Sequence, residues 1–228
     1  MTDHRGPTLR ERKKLRTRRA LVEEALRLFT AKGFAETTLD ELVDAVQVSQ
    51  RTFFRTFSSK EDVALAPEKE LWAAYVAELE RRPHDADAGS PLGELLETMF
   101  GALAGMAEGW ESRFLASRAL ADRTPALTAH SLRHCAEVTD VIVERMAART
   151  AVDELRLRLT IELMVAAWRW ALRNWSAEAG EGADRDALRR WTRTAFAALP
   201  GVADLVSEER DRLGDRLGDR PGDRVGNG

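Results

Sequence analysis

The stretch Thr38-Leu39-Asp40-Glu41-Leu42-Val43-Asp44-Ala45-Val46-Gln47-Val48-Ser49-Gln50-Arg51-Thr52-Phe53-Phe54-Arg55-Thr56-Phe57 holds two short helices and a turn. Thr38 and Glu41 have the spacing of a capping box, in which the hydroxyl accepts a backbone N–H and the carboxylate reaches back. The first helix therefore runs from Leu39 to about Val46 and buries Leu42 with Val43 or Val46. Gln47 and Val48 make the turn, and Ser49 caps a second helix that continues to about Arg55. Val48, Phe53 and Phe57 are the apolar positions that would hold this second helix against its neighbours. Two helices joined so tightly read as a helix-turn-helix, whose second helix presents its first residues to base edges in the DNA major groove. Here those residues are Gln50 and Arg51, with Thr52 and Arg55 a turn further on. Glutamine can bond adenine twice and arginine can bond guanine twice. A helical hairpin serving only as scaffold fits the same pattern of apolar residues.

Working outward, a helix over residues 10–32 carries apolar positions Leu15, Leu21 or Val22, Ala25, Leu26, Leu28 and Phe29, and Gly33 ends it. Downstream, Ser58 and Glu61 have capping-box spacing and open a helix to about Arg82, which Pro67 kinks or splits. Pro83 to Pro91 reads as a loop. Helices follow over 92–107, 110–121, 126–149, 153–178 and 184–198, separated by Gly109, by Asp122 to Pro125, by Thr150 to Val152 and by Gly180 to Gly182. No clean period-2 strand is visible, so the fold class is all-α. From Asp211 to Gly226 the unit Asp-Arg-x-Gly occurs four times, which suits a disordered tail. The divisions are a DNA-binding domain over 1–60, a helical body over 61–202 and a tail over 203–228.

The net charge of −3 conceals an asymmetry. Residues 1–60 hold 13 Lys or Arg against 8 Asp or Glu, whereas the rest of the chain is strongly acidic. A basic head on an acidic body suits a nucleic-acid reader; a basic tail with no partner would give the same count. Lys13, Lys14 and Arg16 lie in an arm suited to phosphate or minor-groove contact. No apolar run reaches the roughly 20 residues of a membrane helix, and the N-terminus has no secretory pattern. The single cysteine, Cys135, cannot form an internal disulfide, so the cytoplasm is the expected compartment and no membrane partner is expected. His130, His134 and Glu137 share a helical edge, a spacing that arises freely on exposed helices, so no metal and no cofactor are assigned. Phosphate-cradling glycine loops, Gly-x-Ser-x-Gly and His-Glu-x-x-His are all missing. An all-α enzyme or small-molecule carrier, with the helix-turn-helix as scaffold, remains the alternative to a DNA-binding regulator.

Residues Thr17 to Val63 resemble the DNA-binding domain of the tetracycline-repressor (TetR) family of bacterial transcription regulators. The resemblance rests on Ala25-Leu26-Arg27-Leu28-Phe29-Thr30-Ala31-Lys32-Gly33-Phe34, on Thr37-Thr38-Leu39-Asp40-Glu41-Leu42, and on Val48 through Glu61. The segment Arg51-Thr52-Phe53-Phe54-Arg55 and the Lys60-Glu61-Asp62-Val63 after it are most similar to the subgroup that binds acyl-CoA-like ligands (MftR-like). The resemblance implies a homodimer that binds a palindromic operator in double-stranded DNA, usually represses, and releases DNA when a small ligand enters its C-terminal domain. It places Thr38, Thr52, Phe54, Thr56 and Lys60 at phosphates, and Gln50, Arg51 and Arg55 at bases. Three positions depart from the family pattern: Gln47 stands where glycine is usual, Phe54 where tyrosine is usual and Thr56 where histidine is usual.

In the body, the 153–178 helix is apolar on two sides. Leu157, Ile161, Met164, Trp168, Leu172 and Trp175 form one stripe, and Leu155, Leu159, Leu163, Ala166 and Trp170 form another. Such a helix is either buried within a monomer or shared between its own core and a partner. The partner reading puts Leu159, Leu163, Trp170 and Trp191 of the following helix in a dimer interface, in line with what the resemblance implies for the last two helices. For a small apolar ligand, Met99, Leu103, Met106, Trp110, Phe114, Met164 and Trp168 could line a cavity, or could simply be core. Gly101 and Gly105 could leave room for that ligand or let two helices approach closely.

Overall fold

The computed structural model describes residues 8–82, 90–179 and 184–202. Among the described residues there are ten helices: α1 (Leu9–Lys32), α2 (Leu39–Ala45), α3 (Gln50–Thr56), α4 (Lys60–Ala64), α5 (Ala66–Arg81), α6 (Pro91–Ala104), α7 (Trp110–Asp122), α8 (Pro125–Ala147), α9 (Glu154–Glu178) and α10 (Arg185–Ala197). The fold is all-α, as the periodicity required. The Asp-Arg-x-Gly repeats, most of the Pro83–Pro91 segment and the Gly180–Gly182 break lie outside the described residues.

Local chemistry explains most boundaries. Thr8 and Glu11 form a capping box at the start of α1, and Thr38 and Glu41 form the expected one at α2. Ser49 accepts the Thr52 N–H at the start of α3. At α4 the cap lies one residue beyond the Ser58–Glu61 register: Ser59 accepts the Asp62 N–H at 3.2 Å, and Asp62 accepts from the Ser58 N–H at 2.8 Å. Both pairs satisfy the spacing, and the second lets the Asp62 carboxylate also meet Lys69 at 2.6 Å. Pro67 does not kink one long helix. It occupies the first turn of α5, where its missing N–H costs nothing, and Leu65 separates α4 from α5.

Two cores result. The amino-terminal core packs Leu21, Ala25, Phe29, Leu42, Phe53 and Phe57 together and continues through Val63, Leu65 and Ala66. Leu120, Ala121 and Leu127 of α7 and α8 close it from the body side. The second core, between α5 and α10, holds Trp72, Tyr75, Met99, Phe114, Trp168 and Trp175. Inside it the Tyr75 hydroxyl donates to the Leu95 carbonyl at 3.1 Å, and the Trp110 indole N–H donates to the Pro67 carbonyl at 2.9 Å. The space beside Gly101 is taken by the Glu78 side chain of α5: a Cβ there would fall 2.5 Å from the Glu78 carboxylate oxygen.

Candidate nucleic-acid interface

The turn between α2 and α3 is built on Gln47, which has φ 55°. The Val48 N–H donates to the Val43 carbonyl at 2.9 Å and the Gln47 N–H to the Asp44 carbonyl at 3.0 Å. This is a Schellman termination, which turns the chain through one left-handed residue and satisfies two orphan carbonyls of α2. The departure from glycine at this position therefore leaves the turn intact, at a strain of about 1 kcal/mol.

The turn sets α3 so that Phe53 is buried while Gln50, Arg51, Phe54 and Arg55 face outward. Arg51 and Arg55 meet no carboxylate among the described residues, whereas the Gln50 side-chain amide donates to Asp40 at 2.5 Å. Gln50 is thus braced from α2 before any base is present. Thr38 is exposed but spends its hydroxyl on the α2 cap. Its partner Glu41 is held below the usual carboxylate range by Lys32 and by the Thr38 N–H. The Thr52 hydroxyl lies 3.1 Å from that of Ser49, and the Thr56 hydroxyl donates back to the Thr52 carbonyl at 2.9 Å. The Lys60 ammonium donates to the Phe34 carbonyl at 3.0 Å and to the Thr37 carbonyl at 2.7 Å, and lies 4.9 Å from the Phe34 ring centre. Lys60 therefore ties α4 to the α1–α2 loop with two of its three donors.

The arm belongs to the first helix, as the 10–32 reading expects: α1 begins at Leu9, and Lys13, Lys14 and Arg16 are exposed along it. Together Arg10, Lys13 and Lys14 of α1 and Thr52 and Arg55 of α3 line one groove of about 890 Å³. The placement of arm and reading helix along one groove cannot be seen in the sequence, since some 40 residues separate them. Arg18 leaves the arm's solvent face. Its guanidinium lies 4.4 Å from the Phe57 ring centre, donates to the Thr56 carbonyl at 3.4 Å and pairs with Glu70 at 3.4 Å. It thereby joins α1, the end of α3 and α5.

In the body, a cavity of about 410 Å³ lies between α5, α7, α8 and α9. Of the seven residues expected to line one, only Phe114 and Trp168 do so. Met99, Leu103, Trp110 and Met164 are fully buried in solid core, and Met106 packs half-buried at its edge. Of the basic residues the sequence offers for a pocket mouth, Arg113, Arg118 and Arg123, only Arg118 lies on the cavity wall, and Glu68, Ser131, Arg169 and Arg173 were missed. The available signal was the i, i+4 pair Arg169 and Arg173, set between the two apolar stripes of α9. The Ser131 hydroxyl donates to Glu68 at 2.8 Å, and burial pushes the Glu68 carboxyl above its usual range against that bond and the nearby Arg118 and Arg169.

On α9 the stripe from Leu157 to Trp175 is buried, while Leu159, Leu163 and Trp170 are 55%, 42% and 38% exposed. Trp170 meets Trp191 of α10 edge-on at 5.6 Å. No helix among the described residues is long and apolar enough to cross a membrane, and no three His, Cys, Asp or Glu residues there are grouped to hold a metal. His130 instead contacts Lys69 at 3.3 Å and Arg133 at 3.0 Å.

Residues 21–66 match the model of the bacterial regulatory proteins of the tetR family. The chain is 38% identical over 175 residues to the HTH-type transcriptional regulator TcmR of Streptomyces glaucescens, covering 75% of this chain and 77% of that protein. The chain belongs to the TetR family. It is a transcriptional regulator of the DNA-binding helix-turn-helix class. Solved structures similar to it include Salmonella enterica GusR, at 18% identity and TM-score 0.47, covering 82% of this chain and 95% of that one. A TetR-family transcriptional regulator from Cytophaga hutchinsonii matches at 19% identity and TM-score 0.42, covering 86% and 98%. In this TetR-family chain the matched segment coincides with the part of the amino-terminal core that runs from Leu21 to Ala66, which Leu120, Ala121 and Leu127 of the body complete.

Proposed function

We propose that the protein is a cytoplasmic, homodimeric repressor that reads a palindromic operator and is released from it by a small ligand with an apolar body. The observation that carries this reading is the outward set Gln50, Arg51 and Arg55 on a Ser49-capped helix whose groove is shared with the basic start of α1. In it, Gln50, Arg51 and Arg55 meet base edges. Thr38, Thr52, Phe54, Thr56 and Lys60 sit near phosphates, where the Phe54 ring offers contact but no donor. Lys13, Lys14 and Arg16 add sequence-blind attraction. Residues 1–60 are assigned to DNA reading and 61–202 to the ligand cavity and to dimerisation through Leu159, Leu163, Trp170 and Trp191. The acyl-CoA-like subgroup is the resemblance that supports a ligand carrying an apolar chain or ring.

The test is selection from random duplex DNA at about physiological salt, where non-specific binding is suppressed. A recovered palindrome, with half-sites about one helical turn or a multiple of it apart, supports the reading. On that operator Arg51→Ala should cost about 1–3 kcal/mol and relax the preference at one base pair. Lys14→Ala should weaken all sequences alike and make the salt dependence shallower by about one unit of slope. A folded protein that enriches no motif, or an Arg51→Ala variant with parental base preference, refutes the placement of the reading helix.

A further inference from the structure

The cavity of the body has a chemical polarity of its own. Its floor is aromatic: Trp72, Phe114 and Trp168 are all buried, and the Trp72 and Trp168 rings meet edge-on at 6.4 Å. Its wall and mouth carry Arg118 from α7 and Arg169 and Arg173 from α9. Acidic groups offset these three guanidiniums poorly. Asp122 reaches Arg118 only at 3.9 Å and is itself largely exposed. The Arg169 guanidinium donates to the Cys135 sulfur at 3.7 Å, a weak acceptor, and Arg173 meets no carboxylate among the described residues. Glu68, the remaining cavity carboxyl, is near Arg118 and Arg169, but it accepts the Ser131 hydroxyl at 2.8 and 2.9 Å and its burial disfavours the charged form that would offset them. The volume, about 410 Å³, falls within the range of small-molecule sites, where a few polar groups orient an otherwise apolar ligand.

We propose that this cavity selects a compact ligand with a ring-bearing apolar body and a single acidic head, the body lying on Trp72, Phe114 and Trp168 and the head pairing with Arg118, Arg169 and Arg173. This assignment rests on the ligand-release reading above and narrows it from an apolar ligand to an apolar acid. The physical reason is that an anion at the mouth meets donors whose acidic partners are distant, already engaged or, for Arg173, not found among the described residues, whereas an uncharged body of the same shape leaves them merely solvated.

Two fluorescent probes with one body separate these cases: 8-anilinonaphthalene-1-sulfonate and its uncharged counterpart N-phenyl-1-naphthylamine. Titrated into the full chain without DNA, the sulfonate should bind about tenfold more tightly, the scale of a charge-assisted contact. The double variant Arg169→Gln, Arg173→Gln should bring the two probes towards parity by weakening the sulfonate alone. Arg169→Lys, Arg173→Lys, which keeps both charges, should restore most of the difference and guards against a folding artefact. Cys135, the chain's single cysteine and a cavity residue, reports the location: bound sulfonate should slow its alkylation by iodoacetamide. Equal affinities in the parent, a sulfonate affinity indifferent to the glutamine variant, or an unshielded Cys135 would each overturn the assignment. Because no DNA is present, any of these results leaves operator recognition to its own test.

Discussion

Arg18 and Lys60 show how little a residue's type says about its task. Both are cations in a basic segment, yet Arg18 lies over the Phe57 ring and Lys60 holds two backbone carbonyls. Arg51 and Arg55, on the neighbouring helix, are left to face solvent. Gln47 makes the same point for the backbone. At φ 55° it pays conformational strain that glycine would avoid, while glycine would loosen the unfolded chain. The net effect of Gln47→Gly should be a gain of about 0.5 kcal/mol, seen as a Tm about 1–2 °C higher. A fall in Tm would mean that the glutamine side chain contributes contacts that outweigh its strain. Glu68 supplies a pH test. Its carboxyl is raised above the ordinary 4.5, first by burial, so folding favours its protonated form. Its stabilising share is complete below about pH 4.5 and is lost as pH rises through the raised value. Glu68→Gln should therefore gain on the parent as pH is taken from 4 to 8 in thermal melts; a constant difference would contradict the buried-carboxyl account.

At the scale of the element, α9 is the informative helix. Its buried stripe packs Leu157 through Trp175 against the body, and its second stripe leaves Leu159, Leu163 and Trp170 open beside Trp191. Single exposed leucines are ordinary, but a row of them along a 25-residue helix is the kind of surface that oligomers cover. Leu163→Glu together with Trp170→Glu should convert the proposed dimer to a monomer of unchanged helix content, measured by light scattering and circular dichroism. A dimer that survived both charges would move the interface off this face. The variant is not expected to unfold the chain, because both side chains are exposed in the single protomer.

At the scale of the whole molecule, the two cores are joined, not merely adjacent. Leu120, Ala121 and Leu127 of the body complete the amino-terminal core, and Ser117 of α7 donates to the Ala64 carbonyl at 2.6 Å. Asp62 of α4 pairs with Lys69 of α5, which lies next to Glu68 on the cavity wall and touches His130 of α8. A change in the cavity therefore has a short route to α4, whose Asp62 also accepts from the Ser58 N–H just beyond the end of α3. Asp62→Asn, which cuts that route without touching α3, should leave operator affinity near the parental value while reducing ligand-driven release, read by fluorescence anisotropy on the selected operator. Parental release would show that the route carries no coupling.

Much of this was legible in the residues themselves, because caps, turns and amphipathic periods are local. Thr38 with Glu41, Ser49 before Gln50, and Gly33 after Lys32 mark boundaries through backbone hydrogen bonds made within a few residues. The two stripes of α9 follow from 3.6-residue periodicity alone. The ambiguous cases were those in which two local solutions are equally good, such as Ser58 or Ser59 as the cap of α4 and Pro67 as a kink or a first turn. The cavity could not be read at all, because whether an aromatic residue fills space or borders it depends on what four separate helices leave empty. Trp110 and Trp168 are alike in sequence; packing buries one in solid core and sets the other on a cavity floor. Sequence by itself determined the helices and the outward face of the reading head, since each is fixed by short-range bonds. Tertiary structure decided which cations stay free, where the cavity opens and what charge lines it, since those depend on residues far apart in the chain.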